Sequence, residues 1–285
     1  MKRTSMAAML LITLLLTSCT SPMTGEGGSS EVVITEQTIE TTPETDAVTE
    51  LPTEAETAPH VLQTEPPTEP ETEAPTESVK KLAGVKIGID PGHQLHGNTE
   101  QEAIAPGSSQ TKDKNKGGTM GTVTGIPEYV TDLEISMALK EQFEAEGATV
   151  YMTRETHDVS ISNQERTKMM NELGVDLLLR IHCDASDNSG TTGIGLFVSK
   201  SYGLPEQSYQ YAQIIQPILC ETVGADNRGI VSNDNYTGQN WAEVPCIMIE
   251  CGFMTNPEED RLLNDPTYQK KLAEGIVLGV EACFS

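Results

Sequence analysis

Positive charge is scarce in this chain, and between residues 20 and 78 there is none. The 285 residues include 18 Lys and Arg against 43 Asp and Glu, which gives a formal charge of −25 at pH 7. Binding of nucleic acid depends on a concentrated basic face that neutralises phosphates. We therefore expect no nucleic-acid partner.

A long apolar run is also missing. The apolar segment Met6–Leu16 has 11 residues, whereas a helix that spans a bilayer needs about 20. It follows the basic Met1–Arg3 and ends at Leu16–Cys19, which resembles the lipobox of bacterial lipoproteins. We expect residues 1–18 to be a lipoprotein signal peptide and Cys19 to carry the lipid that anchors an extracytoplasmic protein to the cell membrane. An ordinary cleaved signal with a chance cysteine is the alternative.

Residues 19–79 lack the apolar side chains that a folded core requires. The tract is rich in Thr, Glu and Pro, as in Thr64–Glu73, and its charges are all acidic. Low hydrophobicity and like charge predict a disordered, extended segment. At a polyproline rise of roughly 3.1 Å per residue its length could reach about 180 Å. This composition predicts a tether between a membrane and a more distant layer.

Cysteine pairs with metal-site spacing are absent. No Cys-x-x-Cys occurs, which argues against a structural zinc site. After lipidation of Cys19 an odd number of cysteines remains, so they cannot all pair. We expect buried free thiols, with a Cys183–Cys251 disulfide as the alternative. The five are Cys183, Cys220, Cys246, Cys251 and Cys283.

Residues 80–285 alternate strand and helix patterns. This alternation predicts one α/β catalytic domain, a three-layer sandwich with a mostly parallel or mixed twisted sheet between helices. The predicted strands are 86–90, 150–152, 176–181, 194–198 and 246–249. The predicted helices are 127–146, a segment from a capping box at 162–165 to Gly174, 205–223 and 272–283.

Three ionisable residues, His93, His182 and Glu250, directly follow predicted strands. Two imidazoles and one carboxylate with an open fourth position make a catalytic zinc site. The carboxylate could be Glu250, Glu128 or Glu134. Glu134 adjoins Leu133 and is expected to face solvent, whereas Glu128 in a first helical turn could simply complement the helix dipole. Position alone leaves the ligand open.

A resemblance bears on this choice. From about residue 84 onward the chain resembles the zinc-dependent N-acetylmuramoyl-L-alanine amidases of the amidase-3 family. The matching stretches are Ile89–His93, Glu128 with Leu133, Thr153–Arg154, Glu165–Arg166, Ile181–His182 with Ala185–Ser186, Asn227–Gly229 and Glu250–Glu259. The resemblance implies one Zn²⁺ bound by His93, Glu128 and His182, with Glu250 as the catalytic base. It implies cleavage of the amide between the lactyl group of N-acetylmuramic acid and L-alanine of the peptidoglycan stem. No His-Glu-x-x-His occurs, so the chain is not a zincin-type protease.

Two features depart from the family pattern. The insert of residues 94–127 is long, and could form a wall of the substrate groove or be a solvated loop. The second departure is Arg180, which precedes Ile181–His182 and could contact a substrate carboxylate.

Three other residues are considered as site residues. Trp241 lies in a predicted loop and could stack on a sugar. His96 and His157 are not expected to be ligands.

Two other functions compete with a membrane-anchored, monomeric enzyme. The fold could bind peptidoglycan without turnover, or the acidic tether could be the functional part.

Overall fold

The computed structural model describes residues 80–285, so the predicted signal peptide, Cys19 and the whole predicted tether of residues 19–79 lie outside the described residues. The strands are β1 (Lys86–Pro91), β2 (Asn98–Ala103), β3 (Thr111–Asn115), β4 (Thr149–Met152), β5 (Leu177–Asp184), β6 (Ile194–Val198), β7 (Asn227–Ser232) and β8 (Cys246–Phe253). The helices are α1 (Glu128–Ala145), α2 (Asn163–Leu173), α3 (Pro205–Val223), α4 (Thr237–Asn240), α5 (Pro257–Leu263) and α6 (Pro266–Phe284).

Six strands form one sheet in the order β4-β1-β5-β8-β6-β7. All neighbours are parallel except β6 and β8, which are antiparallel. Helices α1, α3 and α6 pack together on one face, while α2 and α4 contact each other on the opposite face. The predicted three-layer α/β fold with a mostly parallel sheet is therefore confirmed.

Strand β5 shows how the sheet separates its core from its polar residues. Leu177, Leu179 and Ile181 are buried in the large apolar core beside α1 and α6. Because successive side chains of a strand point to opposite faces, Arg180 and His182 project to the other side. Full burial of each aliphatic side chain contributes roughly 1.5–3 kcal/mol, which fixes the register that presents His182.

Two strands extend further than the sequence predicted. Strands β5 and β8 were expected to end just before His182 and Glu250, but both continue beyond these residues. Strand β8 lies between β5 and β6 and pairs with both, so its backbone hydrogen bonds continue past Glu250. His182 and Glu250 are register partners in neighbouring parallel strands. Their side chains therefore start from adjacent points of the same face.

The insert of residues 94–127 is not a plain loop, because it contains the antiparallel hairpin of β2 and β3. Sequence patterns missed this hairpin because its strands are almost entirely polar. Its β2 end is held by Trp241 Nε1, which donates to Ala103 O at 2.8 Å, and by Asn240 Nδ2, which donates to Ile104 O at 3.1 Å. The hairpin is thus anchored to the segment around α4.

Other boundaries are close to expectation. The capping box of Ser162 and Glu165 starts α2, and Gly174 ends it in the left-handed conformation. Helix α6 begins at Pro266, earlier than the predicted Leu272, because Asp265 caps its first turn.

The five cysteines within the described residues are free, which confirms the expected thiols. No helix in the described part of the chain is both long and apolar enough to cross a membrane.

Candidate metal centre

The turn after β1 places His93 in an unusual backbone conformation. Its φ is 53°, the one positive value at a non-glycine residue within residues 80–285. The left-handed region costs an L-residue roughly 1–2 kcal/mol. Arg166 holds the turn by donating from Nη2 to His93 O and from Nη1 to Pro91 O, both at 2.7 Å. Arg154 adds a hydrogen bond from Nη2 to Gly92 O at 2.7 Å.

Asp90 anchors the charges beneath this turn. Its carboxylate is buried and lies 2.8 Å from both Arg166 Nη1 and Arg180 Nε, and it accepts a hydrogen bond from Thr153 Oγ1 at 2.6 Å. Burial opposes ionisation, but the two guanidinium groups hold the pKa of Asp90 well below its usual range. Asp90, Thr153 and Arg166, which belong to the stretches that match the family, therefore hold the turn in place and do not line the cavity.

His93, Glu128 and His182 converge at one point. His93 Nε2 lies 3.0 Å from Glu128 Oε1, and His182 Nδ1 lies 3.3 Å from the same oxygen. Glu134 is not part of this group, because its carboxylate accepts a hydrogen bond from Gln269 Nε2 of α6 at 3.1 Å. Among the three carboxylates left open by position, the structure brings Glu128 between the histidines.

The protonation states of this group suit a metal cation. Burial lowers the pKa of His182 to about 4, so its imidazole is neutral near pH 7. Burial disfavours the Glu128 carboxylate, but hydrogen bonds with His182 and His93 hold the pKa of Glu128 well below its usual range. Imidazole nitrogens with one ionised carboxylate fit Zn²⁺ better than a hard cation.

The insert supplies the outer contacts of two of these residues. His93 Nδ1 lies 2.7 Å from Lys116 O, which favours the tautomer with the proton on Nδ1 and leaves the Nε2 lone pair free. Thr119 N donates to Glu128 Oε2 at 2.7 Å, so Oε1 remains for a ligand. Such outer hydrogen bonds orient metal ligands and fix their tautomers.

Glu250 lines the same cavity, which has a volume of about 380 Å³. Its Oε2 is buried and has no hydrogen-bond partner among the described residues. Burial, together with the Glu128 and Asp184 carboxylates, raises the pKa of Glu250 well above its usual range. A cation held at Glu128 would act in the opposite direction.

The two predicted substrate contacts differ in position. Arg180 borders the cavity, but its guanidinium is buried and bonded to Asp90 and to Asn163 Oδ1, the latter at 2.9 Å. Trp241 does not line the cavity. Its ring lies under Lys168 Nζ, 4.7 Å from the ring centroid, and its Nε1 is bonded to the hairpin. Trp241 thus packs against the hairpin outside the cavity, and its contact with a sugar stays a prediction.

His96 and His157 also lie outside the cluster. His96 is exposed near Asp158, with 3.8 Å between Nε2 and Oδ1. The ring of His157 packs edge-on against Tyr129 at a centroid distance of 5.3 Å. Neither position contradicts the expectation that these histidines are not ligands.

Asp132 is a member of the cluster that the sequence reasoning missed. One ligand atom each from His93, Glu128, Asp132 and His182 lies within 4.8 Å of all the others. Asp132 is 0% exposed, and neither carboxylate oxygen has a hydrogen-bond partner among the described residues. Burial raises the pKa of Asp132, and the Glu128 and Glu250 charges raise it further. Its position one helical turn after Glu128 was the available signal.

The stretch around Asn256 has a structural role. Asn256 Oδ1 caps α5 by accepting from Glu258 N at 2.9 Å and Glu259 N at 3.1 Å. Asp260, in the first turn of α5, accepts hydrogen bonds from Val123 N at 2.6 Å and Thr124 N at 2.9 Å. The far end of the insert is therefore fastened to α5.

The chain thus forms a three-layer α/β domain with a candidate metal centre. Two His and one Glu come together at this centre beside the parallel strands of the sheet. More specifically, residues 87–282 match the amidase-3 family, described as N-acetylmuramoyl-L-alanine amidase, and the chain belongs to this family.

Individual relatives agree with this assignment. An N-acetylmuramoyl-L-alanine amidase from Clostridium difficile 630 is 30% identical, with a TM-score of 0.59 over 70% of this chain and 95% of that one. The amidase Ami1 from Mycobacterium smegmatis shares the fold with a TM-score of 0.66 at 24% identity, over 71% of this chain and 98% of that one.

The curated relatives are longer proteins. The probable cell wall amidase LytH from Staphylococcus epidermidis is 27% identical over 208 residues, which are 73% of this chain and 61% of LytH. The chain thus spans about three fifths of the length of this relative.

Proposed function

We propose that this protein is a peptidoglycan hydrolase that cleaves the amide between the lactyl group of N-acetylmuramic acid and L-alanine of the stem peptide. The observation that carries the proposal is the convergence of His93, Glu128 and His182 beside Glu250 in one cavity. Membership of the amidase-3 family gives the bond and the substrate class.

The proposed cofactor is one Zn²⁺ held by His93, Glu128 and His182. When bound, zinc supplies a Lewis acid that lowers the pKa of water and polarises a carbonyl. The protein would keep its ligands ready for this role, because Lys116 O and Thr119 N fix the orientation of His93 and Glu128.

Glu250 is the proposed general base. It takes a proton from the attacking water and returns it to the nitrogen of the leaving L-alanine, a role typically worth 10²–10⁴-fold in rate. Its unpartnered Oε2 is consistent with this role, since no described residue competes for the proton. The register pairing with His182 keeps Glu250 next to the metal ligands.

Digestion of purified peptidoglycan with the full-length protein, followed by mass spectrometry of the released stem peptides, tests the bond that is cut. We expect free L-alanine amino termini, and a fall of about 10²–10⁴-fold in rate for Glu250→Gln at unchanged zinc content. His93→Ala should lose zinc. Binding of peptidoglycan without any release would instead support the silent binding module, and full activity of Glu250→Gln would overturn the mechanism.

We propose that the protein acts outside the cytoplasm as a monomer on a lipid anchor at Cys19, with residues 19–79 as its tether. Two acyl chains on this cysteine would provide stable membrane attachment. Cys19→Ala should release the protein from the membrane fraction into the medium. Retention of this variant in the membrane fraction would contradict the anchor.

A further inference from the structure

The insert gives one wall of the cavity a charge that is rare in this acidic chain. Lys112 and Lys116 both line the cavity. Among residues 80–285 neither ammonium group has a carboxylate oxygen within 4.0 Å, whereas the intervening Lys114 is paired with Glu100 at 2.7 Å. Two unpaired cations therefore border a space that is also lined by the carboxylates of Glu128, Asp184 and Glu250.

Lys112 contacts two other residues of the cavity lining. Its Nζ donates to Asn235 O and lies 5.9 Å from the centroid of the Tyr236 ring. An ammonium group has three donors, so others remain for a ligand. Burial lowers the pKa of Lys112, and the charge of Lys116 lowers it further. Two like charges on one wall of the cavity repel each other, and an anion bound by both would relieve this repulsion.

Lys116 is tied to the metal cluster through its backbone, since its carbonyl oxygen lies 2.7 Å from His93 Nδ1. The neighbouring Asn115 is 2% exposed, lines the same wall, and its Oδ1 has no hydrogen-bond partner among the described residues. Asp113, the acidic residue of this wall, already accepts a hydrogen bond from Gln101 Nε2 at 2.5 Å. The wall therefore offers two cations within five residues, and the backbone of one of them contacts a proposed metal ligand.

We propose that Lys112 and Lys116 bind a carboxylate of the stem peptide, and that the insert thereby selects stem peptides whose acidic second residue is not amidated. This inference rests on the proposed function. An extended peptide advances about 3.3 Å per residue, so only L-alanine separates the second residue from the scissile amide. The ammonium groups of Lys112 and Lys116 would attract its carboxylate. Amidation replaces the carboxylate by a neutral group that gains little from two ammonium ions.

The test compares muramyl tripeptides that differ only in the second residue, with either a free α-carboxylate or a carboxamide. We expect the wild-type protein to have a kcat/KM at least about tenfold higher for the acid. Lys112→Gln combined with Lys116→Gln should bring this ratio close to one. Lys114→Gln, which removes a cation already paired outside the cavity, is the matched control and should keep the wild-type ratio. Thermal unfolding of each variant verifies that it is folded.

A second pair of substrates separates two sources of the same carboxylate. Tripeptides ending in lysine or in diaminopimelate differ in the carboxylate of the third residue. A wild-type preference that depends on the third residue and not on the second would overturn the assignment to the second residue.

Binding measurements keep the inference separate from the proposed function. The affinity of the Glu250→Gln protein for the acid and carboxamide peptides does not depend on turnover. Tighter binding of the acid, lost in the double lysine variant, supports the lysine wall even if no cleavage is detected. Equal affinity for both peptides, or equal kcat/KM, would overturn it, while cleavage at the predicted bond would leave the proposed function intact.

Discussion

Gly92→Ala would perturb the candidate metal site without changing any of the proposed ligands His93, Glu128 and His182. A Cβ atom at this position would lie 2.5 Å from both Cε1 and Nδ1 of His182, and 2.7 Å from Asp132 Oδ2. Ordinary contacts of a Cβ begin near 3.4 Å. The imidazole would therefore have to move by about 1 Å to accept one methyl group.

The surroundings leave the backbone little room to absorb this change. Gly92 N donates to Ile181 O at 2.8 Å, which ties the turn directly to β5. Strand β5 in turn is held between β1 and β8. The displacement should fall on the side chain of His182, at a cost of about 1–3 kcal/mol for overpacking a tight site.

We expect Gly92→Ala to bind zinc about tenfold to a hundredfold more weakly than the wild type, the range typical of disturbed support for a ligand. Competition with a chromophoric chelator measures this affinity, and urea unfolding of the metal-free protein measures the strain. Gly117→Ala is the matched control, because no heavy atom lies within 4 Å of its added Cβ and its φ is not positive. Wild-type zinc affinity and unfolding midpoint in Gly92→Ala would refute the close approach of Gly92 to His182.

Three further predictions concern the support and charge of the site. Arg166→Lys should lower the free energy of unfolding by about 3 kcal/mol, because one ammonium group cannot replace the four hydrogen bonds of Arg166. These bonds, of 2.7–2.9 Å, go to Asp90, Pro91, His93 and Gln94. An unchanged midpoint of urea unfolding would contradict this prediction. In metal-free protein the His182 pKa of about 4 lies below the value of about 6.5 expected when unfolded. Between pH 6.5 and 4 the unfolded chain therefore binds a proton at His182 that the native state does not bind. The free energy of unfolding should fall by up to about 3 kcal/mol across this range. His182→Gln should lack that loss, so parallel pH profiles of the two proteins would count against it. Zinc at a hundred times its Kd should raise the unfolding free energy by about 2.7 kcal/mol, and a chelator should abolish the gain; no shift in Tm would argue against a zinc site.

Local sequence signals were enough for most of the elements. Helix α3 and strand β6 have the bounds that periodicity and flanking Gly and Pro indicate, and the capping box at Ser162 starts α2 as expected. Strand ends were less accurate, because the length of β8 depends on pairing with β5 and β6 and not on its own residues. The polar hairpin of β2 and β3 was missed since its strands have almost no apolar alternation.

The residues of the candidate metal site could be predicted from the sequence and the family resemblance together. The residues that hold them in position could not. His93, Glu128 and His182 could be chosen from strand ends and family resemblance, yet position alone did not separate Glu128 from Glu134. That distinction depends on tertiary contacts, because Gln269 of α6 takes up the Glu134 carboxylate. Asp132 was overlooked because an acid on a helix reads as solvent-exposed until its burial is known.

The insert connects the two proposed roles, support of the metal site and selection of the substrate, which sequence patterns alone would not link. The same short segment fixes His93 through Lys116 O and Glu128 through Thr119 N, and it lines the cavity with the Lys112 and Lys116 side chains. A substitution that shifts this backbone should therefore alter zinc affinity and substrate preference together, whereas one that changes only a lysine head group should alter preference alone. The contacts of the insert with Trp241 and Asp260 at its two ends explain why a largely polar segment can hold His93 and Glu128 in position. Its role follows from where its backbone is fastened and not from its hydrophobicity.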